Sequence, residues 1–149
     1  MQSKKRDGWL ERLCVTLMFL FGTGSLSMAE GVEGYWIKES NDVIVKVNVV
    51  NGQLVGRLLD WKDRNLKWDS YNPDPSLRGR ALKGLPVLYG LAKNGPKWGG
   101  GTIYDATQGK TYGAKLWLEN PNVMVVRGFL GVSVLGKTTK WMRTAKTRL

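Results

Sequence analysis

Two features of this chain have the residue types for chemistry. One is the stretch Lys97–Asp105, "KWGGGTIYD". A glycine run of this kind cradles phosphate when a helix follows it, because the free N–H groups of the helix N-terminus bind the anion. The other is a set of acids: Asp60, Asp63, Asp69, Asp74 and Asp105. Paired carboxylates serve acid and base roles in glycoside hydrolysis. No spacing among these singles out a pair. Asp74 within "NPDP" and Asp105 before "ATQGK" sit where an aspartate bonds its own backbone in a turn. No catalytic residue is therefore assigned, and a hydrolase using loop carboxylates stays as an alternative.

What the chain lacks narrows the chemistry further. Histidine is absent, and Cys14 is the single cysteine. Beyond residue 29 there is thus no thiolate nucleophile, no Ser-His or Cys-His pair, no disulfide framework and no ordinary zinc site. No metal and no cofactor are expected, and the protein reads as a non-enzyme.

The elements that must position any site are strands. Asp42–Val50, "DVIVKVNVV", places Val43, Val45, Val47 and Val49 on one face and Lys46 and Asn48 on the other. Asn51-Gly52 follows, the strongest short hairpin signal, and Gln53–Asp60 returns as the partner. Lys62–Lys83 breaks the pattern with Asn72-Pro73-Asp74-Pro75 in its middle, which predicts a long loop with room for one helical turn after Pro75. Strands resume at Leu85–Lys93, Thr102–Asp105, Thr111–Glu119, Val123–Leu130 and Gly136–Thr144. No helix follows Gly99–Gly101, so the run reads as a bend or bulge in a curved sheet. About eight short strands with tight turns indicate an all-β sandwich or barrel, and eight suffice to close an up-and-down antiparallel barrel. Alternation predicts that Val45, Val47, Leu54, Leu58, Leu116, Leu118, Met124 and Val126 face the interior.

The N-terminus reads as a processing segment. Lys4, Lys5 and Arg6 precede the apolar run Leu13–Phe21, and Ser27-Met28-Ala29 supplies small residues two apart. This is a secretory signal over residues 1–29 with cleavage after Ala29, leaving a domain over 30–149. An uncleaved anchor is the competing reading. Export would place the protein in the periplasm or outside the cell. The formal net charge of +11 would suit a polyanion or an anionic membrane surface. No run of five basic residues occurs, however, which fits a soluble basic domain. Nucleic acid is not expected as a partner of an exported chain.

Gly34-Tyr35-Trp36 near the start and Trp141-Met142-Arg143 near the end resemble the lipocalin-like (calycin) barrels. That resemblance implies that Gly34 and Trp36 open the first strand and that Arg143 packs over the indole, closing one end. The longer blocks "NPDPSLRGRALKGLPVLYGL", "WGGGTIYDATQGKTYGAKLWLE" and "VRGFLGVSVLGKTTKWMR" resemble the bacterial domain-of-unknown-function family numbered 2147. Its members are small exported proteins, so the resemblance implies a lipocalin-like barrel in the bacterial envelope and no established activity.

The aromatic residues Trp61, Trp68, Tyr71, Tyr89, Trp98, Tyr104, Tyr112 and Trp117 are many for a small domain. Core packing accounts for most of them. The functional reading is a cavity with Trp61, Trp68 and Tyr71 on its rim, and with Tyr89, Leu116 and Met124 completing a ligand-binding set. Together these features indicate an exported barrel that binds a small apolar or amphipathic ligand. The alternative is a filled barrel that docks on anionic lipid or on another envelope protein.

Overall fold

Alternation of apolar and polar residues, reset at each turn, shapes the molecule. The computed structural model describes residues 31–132 and 134–149. The segment read as a signal lies outside them. The described residues form eight strands: β1 (Gly34–Lys38), β2 (Val43–Val50), β3 (Gln53–Trp61), β4 (Pro86–Asn94), β5 (Lys97–Asp105), β6 (Lys110–Asn120), β7 (Val123–Phe129) and β8 (Gly136–Arg143). A single 3-10 turn, Pro75–Leu77, lies in the loop between β3 and β4. Each strand pairs antiparallel with the next, and β8 pairs back on β1 to close the barrel. The eight-stranded up-and-down barrel expected from the strand count is the fold found.

Local chemistry explains the turns. Asn51 and Gly52 both take positive φ, 50° and 76°, as a two-residue hairpin between right-twisted strands requires. The glycine run lies inside β5, which begins at Lys97, rather than ahead of a shorter strand. The pairing register of β5 with β6 shifts between Trp98 and Gly101, and Gly100 has φ 74°. A Cβ on Gly101 would lie 2.3 Å from the Tyr89 carbonyl of β4. The run is therefore a bulge where two strands approach closely, and the described structure has no helix N-terminus beside it to bind phosphate.

The interior follows the expected alternation. Val45, Val47, Leu54, Leu58, Leu116, Met124 and Val126 are buried in one core, and Leu118 packs against it partly buried. Lys46 and Arg57 are exposed on the outer face. Each fully buried aliphatic side chain contributes roughly 1.5–3 kcal/mol relative to exposure.

The up-and-down order sorts the connections between the two ends. The turns β2–β3, β4–β5 and β6–β7 share one end with the chain entry into β1 and exit from β8. The connections β1–β2, β3–β4, β5–β6 and β7–β8 crowd the other end, and the long β3–β4 loop is among them.

Candidate functional site

The first end is sealed. Trp36 and Arg143 are directly opposite each other in the β1–β8 ladder, so their side chains lie on the same face. The indole is fully buried, and the guanidinium carbon stands 4.4 Å from its ring centroid. Arg143 also donates to three carbonyls: Nε to Pro121 O at 2.8 Å, Nη1 to Glu33 O at 2.6 Å and Nη2 to Gly31 O at 2.8 Å. Trp36 Nε1 donates to Val32 O at 2.8 Å. One planar fork therefore stacks on the indole and ties the entering chain to the β6–β7 turn, which a lysine, with no planar face and all three donors on one nitrogen, cannot do. Gly34 makes room for it: a Cβ there would lie 2.6 Å from Arg143 Nη1, and its φ is 134°.

The opposite end holds a cavity of about 620 Å³. Its walls are apolar: Val45, Leu58, Leu82, Val87, Val126, Phe129 and Trp141 line it. Its mouth carries Lys38, Lys62 and Lys137 together with Asp42, Asp63 and Asp105. The carboxylates are engaged locally. Asp42 accepts from Ser40 Oγ, Asp63 from the Asn65 amide, and Asp105 from the amide and hydroxyl of Thr107. The three lysines make no ion pair among the described residues. Free donors at the mouth are thus ammonium groups, whereas the acid acceptors are partly used by turns.

The long loop is held beside this mouth by a buried carboxylate. Asp69 is fully buried. Its Oδ1 accepts from the Tyr104 hydroxyl at 2.5 Å, and its Oδ2 accepts from Asn72 Nδ2 at 2.8 Å and Arg80 Nη2 at 2.7 Å. Burial raises the Asp69 carboxyl's pKa, but the bonds from Tyr104, Arg80 and Asn72 together outweigh it and hold the group below its ordinary value. Burial, reinforced by the Asp69 charge, pushes the Tyr104 phenol up to about 12. Tyr104 also lines the cavity, so this network fixes part of its wall. Asp74 Oδ1 accepts from the Ser76 amide at 2.9 Å and caps the 3-10 turn.

Of the ligand-binding residues expected from sequence, Trp61 lines the cavity and its Nε1 donates to Leu66 O at 2.6 Å, folding the start of the loop. The cavity does not take in the other five. Leu116 and Met124 are fully buried among the side chains of the sealed half. Tyr89 is exposed on the outer wall, because its neighbour Leu88 points inward and successive strand residues alternate. Trp68 and Tyr71 are exposed on the long loop. Asp69 turns inward between them, which leaves its neighbour Trp68 facing water at the isolated bridge to Ala81. Sequence reasoning passed over Leu82, Trp141 and Tyr104 as cavity lining. Inward alternation marks Trp141, next to Lys140, as an interior position, but its height along the barrel axis has no sequence signal.

Residues 34–143 match the family model described as "Uncharacterized protein conserved in bacteria (DUF2147)". The chain belongs to this family. No curated protein matches it. Among solved structures, the DUF2147 barrel is similar to protein HP1028 of Helicobacter pylori, described as belonging to the lipocalin family. The identity is 24%, the match covers 78% of this chain and 84% of that one, and the TM-score is 0.68. At that identity the likeness concerns the fold, and it agrees with the lipocalin-like expectation from Gly34, Trp36 and Arg143.

Proposed function

We propose that this DUF2147 barrel binds a small amphipathic molecule, with its apolar part in the barrel and its polar head among the mouth lysines. The observation that carries this reading is the cavity of about 620 Å³, apolar along its walls, in a barrel whose other end is closed by Trp36 and Arg143. Small-molecule sites of roughly 300–1,000 Å³ with apolar walls and a few polar anchors are the common pattern. A lipocalin-like fold suits the same use. The reading is of a binding protein and not an enzyme, supported by the engagement of Asp42, Asp63, Asp74 and Asp105 in turns and of Asp69 in the loop network. It acts outside the cytoplasm, in the bacterial envelope, once residues 1–29 are removed. N-terminal sequencing of protein from its own cells should find Glu30 first.

An environment-sensitive naphthylamine dye tests the cavity. The dye should brighten with the protein, and long-chain amphiphiles should displace it. Val126→Trp should abolish the signal by filling the cavity, whereas Tyr89→Ala, on the outer wall, should leave it unchanged. Dye binding that survives Val126→Trp places the site elsewhere. Native mass spectrometry of the protein from its own envelope would then show which molecule, if any, accompanies it.

A further inference from the structure

The loop between β7 and β8 displays apolar side chains to water. Leu130, Val132, Val134 and Leu135 are 63%, 60%, 81% and 72% exposed, the highest values of any large apolar side chain among the described residues. Isolated exposed leucines are ordinary, but four within one loop mark an interaction site. Their display is held by the backbone: Arg127 Nη2 donates to Val134 O at 3.0 Å, and the Leu135 amide donates to Val132 O at 3.1 Å. Leu130 and Leu135 also line the cavity. The apolar tip and the cavity mouth are therefore one continuous surface.

We infer that this loop is a membrane-docking element that seats the cavity mouth on a bilayer carrying anionic lipid. The charge of the domain fits that surface. Lys38, Lys62 and Lys137 line the same mouth without ion pairs among the described residues, beside Asp42, Asp63 and Asp105, and the chain beyond residue 29 is strongly basic, with 19 lysines and arginines against 10 acids. Apolar side chains that enter the acyl boundary, with lysines left at the headgroups, are the standard combination for interfacial binding. A protein partner fits less well. A stable interface needs about 800 Å² from each side, and the tip of one short loop offers far less. A bilayer needs no matching shape. Docked this way, the cavity would open toward the lipid, so an amphiphile could pass between membrane and barrel without crossing water. That purpose rests on the cavity reading; the docking itself does not.

The test uses the form that begins at Glu30, which lacks the apolar run Leu13–Phe21 and holds no cysteine, so that a new cysteine is the single thiol. Val134→Cys and, at the sealed end, Asn51→Cys are each labelled with an environment-sensitive fluorophore. Vesicles of phosphatidylglycerol with phosphatidylethanolamine should shift the Val134 label to the blue and leave the Asn51 label unchanged. Phosphatidylcholine vesicles should shift it less. The double change Val132→Asp with Val134→Asp avoids cavity-lining residues. It should weaken vesicle co-sedimentation by about tenfold or more, with dye binding and thermal midpoint retained. A label at 134 that stays in water, equal shifts at both positions, or undiminished binding by the double variant each overturns the proposal. So does a shift that appears only when a protein component is added. Protein that binds the dye but no vesicle rejects docking and keeps the cavity.

Discussion

The sealed half and the hollow half of this barrel are built from the same strands, often from the same strand a few residues apart. In the sealed half, large side chains meet across the axis: Trp36, Leu54, Leu91, Trp98, Leu116 and Met124 are all buried. In the hollow half, small and β-branched residues alternate with large ones such as Trp61, Phe129 and Trp141, which stand around the space rather than across it. Val43, Val87, Ala106, Gly128 and Thr139 line a space that no side chain fills. A barrel of eight strands is just wide enough for its own side chains to fill, so side-chain volume decides locally between core and cavity. The difference teaches that alternation alone specifies "inside" and leaves open whether inside means packed or empty.

Substitutions in the two halves should therefore cost different amounts. Leu116→Ala removes a side chain packed on all sides and should lower stability by about 2–5 kcal/mol in chemical denaturation. Next in size is the seal itself. Arg143→Ala should cost about 1–2 kcal/mol, and Arg143→Lys should recover only part of it, since the planar stack is lost. Leu58→Ala in the hollow half should cost less than Leu116→Ala, about 1–2 kcal/mol, because one side of Leu58 already faces open space. Equal losses at Leu58 and Leu116 would show that both halves are packed alike and would break the comparison.

The effect confined to the ends of the pH range belongs to the loop network, and its sign can be worked out. The Asp69 carboxyl is held below its ordinary 3.8, so its contribution is present above that pH and is lost as pH falls through the lowered folded value. Tyr104 is held above its ordinary 10.0, at about 12. Its contribution is complete below pH 10.0 and is lost as pH rises through about 12. Thermal unfolding across pH should show an alkaline arm in that window, and Tyr104→Phe should remove it. A wild-type profile that is flat there would detach Tyr104 from Asp69.

Much of the architecture was legible in the residues. Asn51-Gly52 with the valines of β2 located a hairpin, and Lys46 and Arg57 identified the outer face. Gly34, Trp36 and Arg143 were legible only through family resemblance, since nothing local links residue 36 to residue 143. The Asp69–Tyr104 bond was not legible. It joins residues 35 apart in sequence, and one of them sits in an aperiodic polar loop. The same bond turned Asp69 inward and Trp68 outward, which is why aromatic content misplaced the rim. Leu116 and Met124 were recognisable as interior residues, but a period of two carries no information on depth.

The clasp at Arg143 also has a temporal meaning. Every other pairing in the barrel joins neighbours in sequence, all but β3–β4 through short turns, and hairpins of that kind form early and locally. The β1–β8 seam is the shortest ladder, and the bond from Arg143 to Glu33 O spans 110 residues. The loop-closure entropy for that contact falls due only after the rest of the chain is ordered. Arg143 should therefore act as a latch on a structure already formed. In stopped-flow kinetics Arg143→Ala should raise the unfolding rate and leave the folding rate nearly unchanged. The lifetime of the closed barrel, rather than the ease of making it, is what this one guanidinium governs.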